Sequence, residues 1–587
     1  MSVTDASQPT SALSYTAGAE DLALLDQTIG ENLREIAAAY PESPAVLEHG
    51  TGRAWSYSEL LADAEAAAQA MIGAGLDRGD RVGMWSPNCA EWTVVQYGAA
   101  LAGVILVNLN PAYRSHELSF VIKQCGMRAL IVAPPDGRSN APQMARDAAQ
   151  EGVSLDLLVM LPAPGKITED SYPHVQAGRH KREAHGLPLH QHHFAEQSWD
   201  HFLEHGHKEV SRGQLEQREE VLAPSDPINL QYTSGTTGFP KGVTLTHLNL
   251  LNNGFHIGEL LRYTSADSVV LPVPFFHCFG MVIGNLAALS HGSATIIPAR
   301  GFDAAASLEA VQEYRATSLY GVPTMFIAEL ALPGFGDYQL GSLRTGVMAG
   351  SPCPAEVMRQ VIGKMHMSEV AICYGMTETS PVSTMTRIGD SLEKQTRTVG
   401  RTMPALESKI VDPISGEIVP RGSTGELGTR GYSVMAGYWD EPEKTAEAID
   451  DDGWMHTGDL ASMDEDGYIA IEGRIKDLVI RGGENVSPRE VEEFLYEHPL
   501  IQDVQVIGVP DERYGEELMA VVVLVDGAPG FSIEELRDYA TGRIAHYKIP
   551  RYLKLVGEFP MTVSGKVRKV QMRQEAAQEL QQQRDAE

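Results

Sequence analysis

Tyr232-Thr-Ser-Gly-Thr-Thr-Gly-Phe-Pro-Lys-Gly-Val243 follows the strand-like run Ile228-Asn-Leu-Gln-Tyr232 and has the make-up of a polyphosphate cradle. Gly235, Gly238 and Gly242 let the backbone come close enough for successive N–H groups to face phosphate oxygens. Ser234, Thr236 and Thr237 add hydroxyl donors, and Lys241 adds a charge-assisted one. The loop is not a Walker A motif: after Gly235 that pattern needs a second glycine followed directly by Lys-Ser or Lys-Thr at a fixed spacing, and Pro240 intervenes. A different nucleotide-using fold is implied, and the length of the ordered pattern separates it from an ordinary Gly/Ser/Thr turn.

Around this loop the chain alternates strands and helices. Ser56-Tyr-Ser-Glu59 reads as a capping box, followed by Leu60, Leu61, Ala64, Ala68 and Met71 at helical spacing until Gly73 and Gly75. Arg81–Trp85, Val104–Val107 and Ala129–Val132 read as strands, with helices over Glu91–Leu101 and after Pro111. Beyond the loop come a helix from near His247 and strands at Ser268–Val273, Ala294–Ile297, Ser318–Tyr320 and Thr345–Met348. This order predicts an α/β fold whose large N-terminal domain has helix-covered, mainly parallel sheets. Gly-bounded alternating runs from Thr424 to Ile471 add a small β-rich subdomain, and a small αβ domain follows Gly473-Arg474. The expected boundaries are a loose start over 1–25, an N-terminal domain over 26–475, a C-terminal domain over 476–575 and a tail over 576–587.

Residues 162–220 interrupt the rhythm with a polar stretch holding His174, His180, His185, His190, His192, His193, His201, His205 and His207. Their spacing is irregular, no cysteine joins them and no helix is assigned a His-x-x-x-His pair, so the reading is a solvated insertion without metal. The formal charge of −32 excludes duplex nucleic acid as a partner, because phosphate-backbone binding depends on Lys and Arg. Five scattered cysteines without a Cys-x-x-Cys pair suit a reducing compartment. Neither a leader peptide nor an apolar run of the ~20 residues that a membrane span needs is present, so the expectation is a cytoplasmic protein with no transmembrane segment; a homodimer is compatible with it.

Taken in order, Tyr232–Val243, Pro274–Gly280, Tyr374-Gly-Met-Thr-Glu378, Gly425-Glu426, Trp454–Leu460, Gly473-Arg-Ile-Lys-Asp477, Arg481-Gly-Gly-Glu-Asn485 and Ser564-Gly-Lys566 make the chain resemble the adenylate-forming superfamily of acyl-CoA synthetases, adenylation domains and firefly luciferase. The resemblance covers about residues 30–575. Leu319–Phe326, Ala349–Pro352 and Ile480–Pro488 look most like the medium-chain fatty-acyl-CoA synthetases. It implies ATP, Mg²⁺ and coenzyme A as cofactor and co-substrates, with a carboxylic acid that is first adenylated and then passed to the CoA thiol. By this resemblance Thr233, Ser234, Gly235, Thr236, Thr237, Gly238 and Lys241 cover the β- and γ-phosphates. Glu378 binds Mg²⁺, Thr377 reaches the α-phosphate, and Tyr374 with Gly375 faces adenine opposite Gly350, Ser351 and Pro352. Asp459 and Arg474 hold the ribose, and Lys566 meets the carboxylate and α-phosphate. Met561 stands where a basic residue often follows the proline, which bears on that loop's own contacts.

A mobile C-terminal domain is part of the same expectation. A loop over the α-phosphate blocks the thiol, so Lys476 is read as the hinge that brings Gly482 and Gly483 to the pantetheine arm. Phe275, Phe276, His277, Met281, Val322 and Met348 are candidate acyl-pocket residues, with His277 either a gate or a packed core side chain. Pro274–Gly280 lacks the Asp with which amino-acid adenylation domains pair an α-amino group, which favours an uncharged chain. Arg513 is a candidate for a CoA phosphate. The alternatives are transfer to a carrier protein, an aryl or other acid as substrate, luciferase-type oxidation, and a catalytically dead acyl or nucleotide sensor. Lys566, Glu378, Asp459 and Arg474 together argue against the sensor.

Overall fold

Apolar runs too continuous for a one-sided strand, such as Val104–Val107 and Ala129–Val132, are the mark of sheet buried on both faces. The computed structural model describes residues 12–19, 22–136, 139–150, 152–163, 194–233, 240–351, 353–481, 484–511, 513–561 and 567–586. Its contacts form two compact units: a larger one of Ala17–Glu407 and Thr429–Met455, and a smaller one of Ser408–Gly428 and His456–Glu587 with the chain start through Thr16.

In the larger unit, one sheet runs in the order Gly437–Tyr438, Lys241–Thr246, Pro227–Thr233, Ile105–Asn108, Arg81–Trp85, Ala129–Val132, Leu157–Met160, Ala195–Ser198. From Pro227–Thr233 onward its neighbours are parallel, whereas Lys241–Thr246 turns back antiparallel and so closes the glycine loop. The second sheet is parallel from Glu369–Gly375 through Thr345–Ala349, Ser318–Gly321, Ser268–Val270 and Ala294–Ile297 to Pro44–Glu48, with antiparallel edges. A shared core lies between them: Leu106 and Ile131 of the first sheet join Val269, Tyr320 and Val347 of the second and the helices Tyr57–Gly73, Ala90–Ala102 and His247–Leu260. The expected capping box is present, with Ser56 N–H donating to the Glu59 carboxylate at 2.8 Å and Glu59 N–H to Ser56 Oγ at 3.3 Å. Strand alternation sends Met348 away from this core; it packs with Leu319, Phe326 and Met358, while Val347 and Ala349 face Phe275, Met281 and Val322.

The stretch 162–220 is not a single solvated insertion. His174, His180, His185, His190, His192 and His193 lie outside the described residues. From Phe194 onward, however, the chain adds the edge strand Ala195–Ser198 and the helices Trp199–Glu209 and Arg212–Glu219. Trp199, Phe202, Leu203 and Leu215 are buried, and a Cβ on Gly206 would stand 2.3 Å from Ala70 Cα, so the first of these helices packs tightly on Tyr57–Gly73. The spacing of apolar residues, not the density of histidine, decides the structure here. His201 and His205 do form a His-x-x-x-His pair on that helix, with ring centroids 6.5 Å apart. Among the described residues no group of three or more His, Cys, Asp or Glu side chains is placed to hold a metal.

The smaller unit holds a sheet ordered Tyr15–Ala17, Leu406–Val411, Gly425–Gly431, Met455–Met463, Ile469–Arg474. The chain start is therefore ordered earlier than expected: Ser14 N–H donates to Val419 and Ile410 N–H to Ser14, both at 2.8 Å, so an open strand edge recruits it through the backbone whatever its side chains. A second sheet joins Val479–Arg481, Glu484–Val486, Ile501–Asp511, Gly515–Leu524 and Tyr552–Leu555. Of the β-rich run Thr424–Ile471, Thr424–Gly428 and His456–Ile471 group with this unit and Thr429–Met455 with the larger one, so the boundary expected after Arg474 is not where contacts divide the chain. Nor is 576–587 a separate tail, because the helix Lys569–Ala586 runs through it with Met572 and Ala576 buried against Ile507, Val509 and Phe559.

Candidate active site

The glycine loop joins two antiparallel strands whose register pairs Thr233 with Lys241. Ser234, Gly235, Thr236, Thr237 and Gly238 lie outside the described residues. Val243 pairs with Tyr438, and Lys241 Nζ sits 4.6 Å from the centre of the Tyr438 ring, a cation over an aromatic face. The phenol of Tyr438 donates to Glu378 Oε1 at 2.9 Å. Burial first, and the Glu378 charge second, push the Tyr438 pKa well above the ordinary phenol range, so its proton stays available to the carboxylate. Tyr438 thus ties Lys241 to Glu378.

Glu378 is 6% exposed, in the 3₁₀ turn Thr377–Thr379 just past the strand Glu369–Gly375. Met435 N–H donates to its carbonyl at 2.9 Å, which fixes the turn. Among the described residues no cationic side chain pairs with its carboxylate. A buried, anionic oxygen donor held by a neutral phenol suits a hard cation that takes its other ligands from phosphate and water, so the residues present fit Mg²⁺. Thr377 is buried beside it, with its Oγ1 4.0 Å from Cys278 Sγ. Tyr374 and Gly375 end the strand; a Cβ at Gly375 would fall 1.7 Å from the Pro381 carbonyl oxygen, which explains the glycine. Gly350 turns with φ +90° next to exposed Ser351 after the strand Thr345–Ala349, and Pro352 lies outside the described residues. These segments lie at carboxyl ends of parallel strands, where open α/β sheets bind ligands.

The turn Pro274–Gly280 is held by three amide side chains that sequence reading passed over. Asn88 accepts from Phe275 N–H and donates to the Val273 carbonyl, both at 2.9 Å. Asn108 donates to the Phe276 carbonyl at 3.1 Å, and Gln231 Oε1 accepts from Cys278 N–H at 3.1 Å. Asn108 and Gln231 come from strands of the opposite sheet, and Asn88 from the loop that follows its strand Arg81–Trp85. His277 Nδ1 accepts from Phe279 N–H at 3.1 Å, which orients the ring at the start of the buried π-helix Phe279–Leu286. Such helices recur at functional sites. Phe275, Met281 and Val322 are buried in the shared core, and Phe276 packs against it.

In the smaller unit, Asp459 and Arg474 face each other across paired strands, with Arg474 Nε donating to Asp459 Oδ1 at 3.1 Å. The Asp459 side chain is 9% exposed and that of Arg474 67%, so the acid is fixed and the base reaches outward. Glu426 makes the turn before Asp459: its carboxylate accepts from Gly458 N–H at 3.1 Å and lies 3.0 Å from His456 Nδ1. Thr457 Oγ1 donates to the Leu427 carbonyl at 2.7 Å. Lys476 lies in the 3₁₀ turn Ile475–Asp477, and Arg573 donates to the Asp477 carboxylate at 3.0 Å. Arg481 donates to fully buried Glu517 at 2.7 Å, and both Arg481 and Arg513 stand over Tyr514, at 4.7 and 5.1 Å. Gly482, Gly483 and Lys566 lie outside the described residues. The ends of the lysine loop are joined, since Met561 bridges Val567 and Arg568 N–H donates to the Pro560 carbonyl at 2.8 Å.

The AMP-binding enzyme family matches residues 33–439, and its C-terminal domain matches 490–566. The chain is an AMP-binding enzyme. The described parts of the family's nucleotide motifs lie on the strand ends and turns described above. YngI of Bacillus subtilis (strain 168) is 44% identical to this AMP-binding enzyme over 553 residues, 94% of this chain and 97% of its own length. The mitochondrial medium-chain acyl-CoA ligase ACSF2 of Danio rerio is 40% identical over 576 residues, 97% of this chain and 92% of its own. Among solved structures, ATP-bound MatB from Rhodopseudomonas palustris is similar with a TM-score of 0.76 at 28% identity, covering 94% of this chain and 99% of that one.

Proposed function

We infer that this AMP-binding enzyme is an ATP-dependent, AMP-forming acid–thiol ligase: a carboxylate displaces pyrophosphate from ATP to give an acyl adenylate, and the CoA thiol then displaces AMP. The observation that carries the reading is the buried Glu378 carboxylate, uncompensated by a cation among the described residues, next to Thr377 and tied through Tyr438 to Lys241. Bound Mg²⁺ supplies charge neutralisation for the phosphates. Thr377 bonds an α-phosphate oxygen, and Lys241 holds the phosphates that leave. Lys566 stabilises the charge that develops where the carboxylate meets phosphorus, the kind of term that supplies much of such a rate enhancement. Asp459, fixed by the Glu426 turn, accepts from the ribose hydroxyls, and Arg474 bonds the same sugar. The smaller unit's C-terminal part swings at Lys476 between the two half-reactions.

The acid is a medium-chain fatty acid, supported by the apolar Phe275, Met281 and Val322, by the absence of an acidic residue in Pro274–Gly280, and by the likeness to the medium-chain acyl-CoA ligase ACSF2. A cytoplasmic site of action is supported by five scattered cysteines without a Cys-x-x-Cys pair, which suit a reducing compartment. The test is pyrophosphate release with C4 to C16 acids, aryl acids and amino acids, with and without CoA. Turnover that requires CoA and peaks at intermediate chain length is expected. A peak with aryl acids, or turnover indifferent to CoA, overturns the corresponding part.

A further inference from the structure

We propose that Gln231 is a substrate-contacting residue whose side-chain Nε2 donates a hydrogen bond to one oxygen of the acid's carboxylate as the other oxygen attacks the α-phosphorus; this rests on the ligase reading above. Gln231 lies on the strand Pro227–Thr233 in register with Asn108 on one side and Val243 on the other. Val243 belongs to the core between the two sheets, so Gln231 faces that core, as does Thr233 two residues on, at the mouth of the glycine loop. The side chain is pinned at one end, where Oε1 accepts from Cys278 N–H at 3.1 Å. That bond settles which end of the amide is oxygen, because a backbone N–H needs an acceptor.

The other end, Nε2, is buried without a hydrogen-bond partner among the described residues, in a residue only 4% exposed. A buried donor left unpaired is costly, and native proteins keep few of them. The two neighbouring clamps differ: both ends of the Asn88 amide are bonded to the turn, and Asn108 both donates to Phe276 and accepts from Asn229 Nδ2 at 3.0 Å. What Gln231 holds is the turn beside His277, and Cys278 of that turn lies 4.0 Å from Thr377 Oγ1, next to Glu378. The unpaired amide is therefore at the junction of the glycine-loop strand, the acyl-pocket turn and the metal-binding turn, where the carboxylate must meet the α-phosphate. An N–H₂ group there selects an oxygen acceptor. In the step itself the attacking oxygen forms its bond to phosphorus as the bond to pyrophosphate breaks, and no proton is transferred. Gln231 keeps the second oxygen turned away from the phosphate.

Two variants of the full chain separate contact with the substrate from support of the turn. Gln231→Glu keeps the acceptor for Cys278 N–H and loses the donor; Gln231→Met, close in volume and uncharged, loses both. Pyrophosphate release is measured with the acid and ATP varied separately. Both variants are expected to lose about tenfold or more in kcat/KM for the acid, as for removal of one hydrogen bond to a charged group, with KM for ATP within about twofold of wild type. The inference is overturned by Gln231→Glu with wild-type kcat/KM for the acid, which makes the amide a support alone. It is also overturned by KM for ATP rising in step with that for the acid in Gln231→Met. If the wild type releases no pyrophosphate with any acid, the ligase reading falls and this inference with it. An active wild type with unaffected variants removes the inference alone.

Discussion

Glu378, in the turn past the strand Glu369–Gly375, and Asp459, within the strand Met455–Met463, are both nearly buried carboxylates, yet each is held differently. Glu378 accepts from a neutral phenol and meets no cation among the described residues; Asp459 is paired with an exposed guanidinium. On the roles proposed for them, the contrast follows from what each would hold. A carboxylate that binds a metal ion gains from keeping its charge uncompensated, because an adjacent cation would weaken the negative potential that attracts the ion. A carboxylate that accepts from sugar hydroxyls needs geometry more than charge, and a solvent-facing ion pair adds little energy of its own. Tyr438 and Glu426 set these two environments, the first by donating a proton that burial keeps on its oxygen, the second by fixing the Gly458 turn.

Neutralising each acid in turn is the sharpest way to break this contrast. Glu378→Gln is expected to reduce acyl-adenylate formation by about 10²-fold or more without lowering Tm, whereas Asp459→Asn mainly raises KM for ATP. Equal losses in kcat from the two would end the distinction. Lys566→Ala is expected to cost adenylation on the order of 10²-fold with the fold intact, and Lys241→Ala distinctly less, read by pyrophosphate exchange. The reverse order would make the glycine loop catalyst instead of clamp. Tyr438→Phe keeps the ring under Lys241 and removes the donor to Glu378, so a loss of about tenfold in kcat with a raised Mg²⁺ requirement is expected; an unchanged Mg²⁺ titration would show that the phenol does not orient the carboxylate. The smallest effect is expected from Glu426→Gln, about threefold to fivefold in KM for ATP with kcat unchanged, because only the turn under Asp459 loosens.

The motifs of the candidate site were legible because the nucleotide chemistry proposed for them demands particular residues close together in sequence. Tyr232–Val243 and Tyr374–Glu378 carry their glycines, hydroxyls and charges within one loop each, and the structure confirms a strand before each and a turn after the second. The residues that support them were not legible. Tyr438 lies 60 residues from Glu378, Glu426 lies 32 from Gly458, and Asn88 lies 185 from Val273. Nothing local marks a tyrosine, a glutamate or an asparagine as a partner at such separations. His201 and His205 show the opposite failure: their spacing was in plain view, but histidine density was taken for solvation when Trp199, Phe202 and Leu203 carried the helix period.

What the amino-acid order determined by itself was the α/β class, the adenylating chemistry and the family, since these rest on short patterns and on hydrophobic period. Tertiary structure alone decided which face Met348 takes, that the Tyr438 phenol donates to Glu378, and that amides from one side of the core hold the turn on the other. Those outcomes depend on strand register and on which buried polar atoms find partners. Both are set only when distant segments share one core, where an unpaired polar group is costly and a paired one is fixed in place.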